Sequence, residues 1–189
     1  MSAALRGRMT IDEFLAWEEW QDERWEFDGF EPVAMTGGTA GHAAIQRNLI
    51  TALTVRLRGK PCQAYNNDLK IMVAGAIRYP DAFVVCTPIP RSATFVTDPV
   101  VVFEVLSPST ATIDHFVKNQ EYRDTPSIQR YVMLEQDSPG GTVFSRIGGE
   151  WLGRVFDATA VLDMPEIGIA VPVAELYEGI SFGEQPTAA

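Results

Sequence analysis

Two acidic residues stand where strands ought to be apolar. Asp81 follows Pro80 and begins the run DAFVV, and Glu104 lies inside VVVFEVL with four apolar residues before it. A lone carboxylate in a buried strand carries a heavy desolvation cost unless something pairs with it. Two such acids on neighbouring strands can share one divalent cation. Hard cations such as Mg²⁺ take one or two carboxylates and complete their shell with water and substrate phosphates. The chemistry that suits this pair is therefore attack of activated water on a phosphoryl group, with Mg²⁺ or Mn²⁺ as cofactor. A positive group should stand close by, and two lysines are available. Lys118 falls on the helix expected after the Glu104 strand, with Asp114 and Tyr122 at i−4 and i+4 on the same face. Lys70 lies in DLKIMV, on a strand before Asp81. Each has a plainer reading: Asp81 as a turn acid after proline, Lys118 as a solvated helix lysine paired with Asp114, Tyr122 as core, Lys70 as an exposed strand residue. Glu104 is the hardest to explain structurally.

The elements that must position these residues can be read in order. Residues 10 to 20, TIDEFLAWEEW, predict a helix with a Thr10/Glu13 capping box. RWEFDGFEPVAM predicts a hairpin turning at Asp28-Gly29. Ile45, Leu49, Leu53 and Leu57 recur every four residues and predict a helix from His42 to Leu57, stopped by Gly59-Lys60-Pro61. Strand-like pieces follow: CQAYN, DLKIMV and, after AGAIRYP read as a loop, DAFVV. A Pro-rich connection over 87–99 leads into VVVFEVL, a continuous apolar run typical of a strand buried on both faces. TIDHFVKNQEYRD predicts a third helix, capped by Thr112 or Thr110 and ended by Pro126; RYVMLEQ predicts another buried strand. A hairpin around Gly148-Gly149 and a short helix from Val171 to Tyr177 complete the chain. Helices and strands mixed in this order give an α/β or α+β domain with a central mixed sheet. The expected layout is a flexible N-terminus over 1–9, one domain over 10–182 and a flexible tail over 183–189.

With 189 residues, 46% of them apolar and 21% charged, the composition is that of an ordinary globular domain. No apolar run follows the two N-terminal arginines and none approaches bilayer length, so no secretory signal, membrane span or membrane partner is expected. Cys62 and Cys86 are the only cysteines and read as small buried hydrophobes. A disulfide scaffold is not expected, and a reduced, cytoplasmic setting is. The net charge of −10 weighs against strong non-specific binding to DNA, though a carboxylate centre is itself negative before its metal arrives.

RYPDAFVV, then VVFEVLSPST, then Asp114, Lys118 and Tyr122 at D-x3-K-x3-Y spacing, resemble the signature of the Uma-two family. This is a large bacterial family of restriction-endonuclease-like proteins within the PD-(D/E)XK superfamily. W-E-F-D-G at 25–29, P-V-A-M-T-G-G-T at 32–39 and His42 extend the resemblance over about residues 10 to 180. The resemblance implies a restriction-endonuclease-like fold, a mixed sheet with helices on both sides. It implies metal binding by Asp81, Glu104 and the backbone carbonyl of Val105. It also implies a further acid from Glu26, with His42 bordering the pocket. Leu106 stands where the superfamily lysine usually falls, and the family pattern transfers that role to Lys118 on the next helix. The implied function is metal-dependent hydrolysis of phosphodiester bonds, with nucleic acid, above all DNA, as partner. The alternative is an inactive nuclease-fold module that binds nucleic acid or a protein. Related folds pair so that two sites face two strands, which implies a homodimer; Trp151 and Leu152 are candidates for its interface.

Overall fold

The computed structural model describes residues 9–107 and 114–182, apart from the side chains of residues 114 and 115. The first helix, α1 (Ile11–Glu18), opens on the expected capping box, in which Thr10 and Glu13 bond each other's backbone amides. The hairpin β1 (Trp25–Phe27) and β2 (Pro32–Ala34) follows, then α2 (Ala40–Leu57), capped by Thr39. Next come β3 (Gln63–Asn66), β4 (Lys70–Val73), β5 (Ala76–Arg78), β6 (Ala82–Val85), β7 (Phe95–Val96) and β8 (Val101–Val105). A π-helical turn (Asp114–Lys118) runs into α3 (Asn119–Asp124). The chain then forms β9 (Arg130–Leu134), the β10 (Gly140–Ile147)/β11 (Glu150–Asp157) hairpin, the β12 (Val161–Met164)/β13 (Ile169–Pro172) hairpin and α4 (Val173–Leu176).

The strands form a six-stranded mixed sheet, β11-β10-β9-β8-β6-β3, a five-stranded sheet, β2-β1-β5-β4-β7, and the separate β12-β13 pair. Alternation along the central strands builds two cores. Ala82, Val84, Val101, Phe103 and Val105 face Ile45, Leu49 and Leu53 of α2 together with Met164, Val171 and Leu176. Phe83, Val85, Val102 and Met133 face the other way, against Ile71, Val73 and Ala76 of the smaller sheet and Tyr122 of α3. β8 and β9 are parallel, so the chain between them must cross over one face. That crossover carries Lys118 and Tyr122 onto the face that bears Glu104. Among the described residues no helix is long and apolar enough to cross a membrane.

Several expectations need correction. AGAIRYP is not a loop: it contains β5, turned from β4 by Ala74 (φ 45°) and Gly75 (φ 87°), which close the Val73–Ala76 pair. The connection over 87–99 contributes β7, parallel to β4. The β12-β13 pair lies before a final helix shorter than expected, Val173–Leu176. Cys62 and Cys86 are joined as a disulfide, S–S 2.08 Å, rather than being two small free side chains. β3 runs antiparallel to β6 with Gln63 opposite Val85, which sets the two cysteines opposite each other at the next position. The Thr110 or Thr112 cap lies outside the described residues. So do the two expected flexible ends, save Met9, whose amide donates to the Phe30 carbonyl at 3.3 Å.

Ala74 is the one non-glycine residue with positive φ among the described residues, in a two-residue turn that suits Asn-Gly. Ala74→Asn is expected to raise the free energy of unfolding by about 0.5–1 kcal/mol. The check is a urea midpoint shifted upward at constant m-value.

Candidate active site

Asp81 precedes β6 at the position opposite Glu104, since Ala82 pairs with Phe103 in the antiparallel β6–β8 ladder. Both acids therefore lie on one face of the larger sheet. Asp81 is 7% exposed and Glu104 4% exposed. Asp81 Oδ2 accepts from the Val105 amide at 2.7 Å, and its Oδ1 accepts from Gln46 Nε2 at 3.2 Å. His42 Nε2 lies 3.2 Å from Asp81 Oδ2. His42 and Gln46 sit one turn apart on α2, so the start of that helix closes over Asp81.

Glu104 Oε1 accepts from Tyr122 Oη at 2.8 Å and from Lys118 Nζ at 3.1 Å. Lys118 Nζ also lies 3.3 Å from Glu26 Oε1. Glu26 is supplied by the smaller sheet, where the β1–β5 register (Phe27 opposite Ile77) places it across from Arg78. Arg78 Nη1 donates to Glu26 Oε2 at 3.1 Å, and the Tyr79 amide donates to Glu26 Oε1 at 3.1 Å. Arg78 also grips Glu121 of α3 with two parallel bonds of 2.7 and 2.6 Å. Lys118 therefore bridges an acid of each sheet, and Arg78 ties the smaller sheet to the crossover helix.

The electrostatics follow from burial and charge pairing. Burial alone pushes the Glu26 carboxyl up, but Lys118 and Arg78 beside it and the Tyr79 amide hold it below the ordinary carboxylate value. Burial opposes the Arg78 charge, yet the Glu121 bonds and the fields of Glu26 and Glu121 outweigh it and raise its pKa. Tyr122, fully buried beside Glu104, is raised well above the usual phenol value, first by burial and then by the Glu104 charge. Its hydroxyl is therefore a fixed donor to Glu104, as a core residue supporting the acid.

The six residues singled out from sequence thus converge: Asp81, Glu104, Lys118, Tyr122, Glu26 and His42. Lys70 does not join them. It pairs with Glu18 of α1, which also accepts from Tyr79 Oη at 2.6 Å. Arg78, Glu121 and Gln46 complete the network and were not legible as site residues; Arg78 fell in a stretch read as loop. Four acidic side chains here (Glu26, Asp81, Glu104 and Glu121) meet two basic ones (Arg78 and Lys118). Among the described residues no group of three or more His, Cys, Asp or Glu side chains forms a ligand cluster. Asp81 and Glu104, two hard oxygen donors at facing positions of adjacent strands, are the residues that could hold a magnesium-type cation.

A mixed sheet with helices on both faces and strand acids beside a helix lysine defines a restriction-endonuclease-like fold. A solved structure described as a "putative nuclease belonging to DUF820" from Anabaena variabilis matches with a TM-score of 0.71 and 20% identity, covering 89% of this chain and 97% of that one. The chain belongs to the Uma2 (Uma-two) family, described as "Putative restriction endonuclease", whose model matches residues 11–174. The uncharacterized protein slr1290 of Synechocystis sp. is 34% identical over 93% of this chain and 94% of its own length. A second protein of that organism, sll1609, is 28% identical over 76% of this chain and 85% of its own length. The protein is thus nuclease-like in family and in fold.

Proposed function

We propose that the protein is a metal-dependent endonuclease that hydrolyses phosphodiester bonds, with DNA as its substrate. The observation that carries this is Glu104: a carboxylate inside an otherwise apolar, fully buried strand, 3.1 Å from a buried lysine amine. Asp81 and Glu104, with the Val105 carbonyl, would hold Mg²⁺ or Mn²⁺. When bound, such a cation supplies Lewis acidity at the phosphoryl group and lowers the pKa of water. Lys118 holds positive charge where negative charge grows in the transition state and orients the attacking water. Tyr122 and the Val105 amide fix the two acids, Arg78 fixes Glu26, and His42 flanks Asp81. The net charge of −10 favours one alternative, a non-catalytic module that binds nucleic acid or a protein through this fold.

Calorimetric titration of Mn²⁺ into wild type and into an Asp81→Asn/Glu104→Gln variant separates the two. Saturable binding lost in the variant, together with Mn²⁺-dependent nicking of plasmid DNA, is the expected result. Nucleic-acid binding that is indifferent to metal and to Lys118→Met, with no cleavage, favours the non-catalytic module instead.

A further inference from the structure

The six-stranded sheet ends on β11, whose outer edge has no strand paired to it among the described residues. β11 runs for eight residues in unbroken register with β10, so no bulge turns the edge away, and it contains neither proline nor lysine. A long, regular edge of this kind is a template for another strand unless something guards it. The hairpin fixes which backbone groups face outward. Gly148 and Gly149, both at positive φ, form a two-residue turn closed by Ile147 and Glu150. In such a turn the closing pair exchanges both ladder bonds, and every second pair after it does the same, here Ser145–Leu152 and Val143–Arg154. The intervening Arg146 amide donates the other way, to the Gln129 carbonyl at 2.8 Å. Trp151, Gly153 and Val155 therefore direct their amides and carbonyls away from β10.

The side chains on this edge are ordered as well. Glu150, Leu152 and Arg154 alternate onto one face, with Leu152 60% exposed and Ile147, across from Glu150, 61% exposed. Neither Glu150 nor Arg154 has an ion-pair partner among the described residues. We propose that β11 pairs antiparallel with β11 of a second copy of this chain, about a two-fold axis at Leu152. In that register Trp151 of each copy exchanges ladder bonds with Gly153 of the other. Leu152 meets Leu152, and Glu150 meets Arg154 at both ends, in the close pairs whose side chains touch. An isologous interface must be complementary to itself, and the order Glu-x-Leu-x-Arg is. Slipping the pairing by two residues sets Leu152 against Arg154 or against Glu150 and leaves charges unmatched. Slipping it by one sets outward-facing groups against inward-facing ones. Charge and hydrogen bonding thus select one register, and the two six-stranded sheets continue into each other across the axis.

Sedimentation equilibrium of the full chain tests this. Wild type should approach twice the 20.8 kDa chain mass as concentration rises. Glu150→Arg or Arg154→Glu alone should raise the dimer dissociation constant about tenfold, since each sets like charges together at both ends. The double reversal Glu150→Arg/Arg154→Glu restores both pairs and should return the constant close to wild type. All three positions are exposed, so far-UV circular dichroism should show an unchanged fold; Leu152→Lys gives a second route to dissociation. A monomer at every concentration overturns the proposal. So does a dimer untouched by these changes, or a double reversal as weak as either single one.

Discussion

On the proposed function, Glu104→Gln is expected to lower the initial rate of metal-dependent DNA cleavage by about 10³-fold, roughly 4 kcal/mol of transition-state stabilisation. Glutamine keeps the shape and an oxygen able to accept from Tyr122 Oη and Lys118 Nζ, which both converge on Glu104 Oε1. What it removes is the charge that, on the proposed function, would draw a divalent cation to this strand. Fold and activity should therefore separate: near-UV circular dichroism stays close to wild type while plasmid nicking in Mn²⁺ falls to background. Retained cleavage in a clean preparation of this variant would remove Glu104 from the metal centre. Glu104→Ala is the less informative change, because it also opens a cavity beneath Tyr122.

Arg78→Met will destabilise the protein by about 3–5 kcal/mol, a large part of a domain's total stability. Arg78 is 2% exposed, and its loss strips donors from both oxygens of Glu121 and from Glu26 Oε2. Those carboxylates stay buried or half-buried with their charge uncompensated. Breaking the exposed Arg24–Asp68 pair by Arg24→Ala should instead cost under about 1 kcal/mol. Urea unfolding of both variants gives the comparison, and equal midpoints would show that the Arg78 network does not hold the sheets together. The acid limb gives a second reading. Glu26 is held below its ordinary value of 4.5, so its contribution is present above that pH and lost as pH falls through the lower, folded value. Without Arg78 part of that lowering disappears, and acid unfolding should begin at higher pH.

Much of the site was legible because it breaks local rules. Nothing in strand packing asks for a glutamate within VVVFEVL, and the Pro80-Asp81 step placed the second acid before another apolar run. Lys118 stood out through its helical spacing from Tyr122 and through the family signature, since no periodicity shows which way a helix lysine points. Arg78 was hidden for a physical reason. β5 is three residues long, too short to display alternation, and an arginine between apolar residues gives no hint that two carboxylates from elsewhere will enclose it. The β12-β13 hairpin was missed because its turn, Pro165 to Gly168, separates strands too short to outweigh the apolar run continuing into the last helix. The cysteine pair was misread because proximity across 24 residues depends on the β3–β6 register, a tertiary fact.

Lys118 touches one acid from each of the two sheets, and that geometry bears on how the protein is made. Glu26 emerges first from the ribosome, then Arg78 and Asp81, then Glu104, and Lys118 only after all of them. Until the crossover helix has been synthesised and laid down, Asp81 and Glu104 share a sheet face but Glu104 and Glu26 lack the lysine that joins them. A nascent chain, or one clipped before Lys118, holds the acids but not the cation that links the two sheets at this point. Completion of the centre thus waits for the crossover between β8 and β9, so the proposed DNA-cutting activity would be withheld from any chain that ends before Lys118.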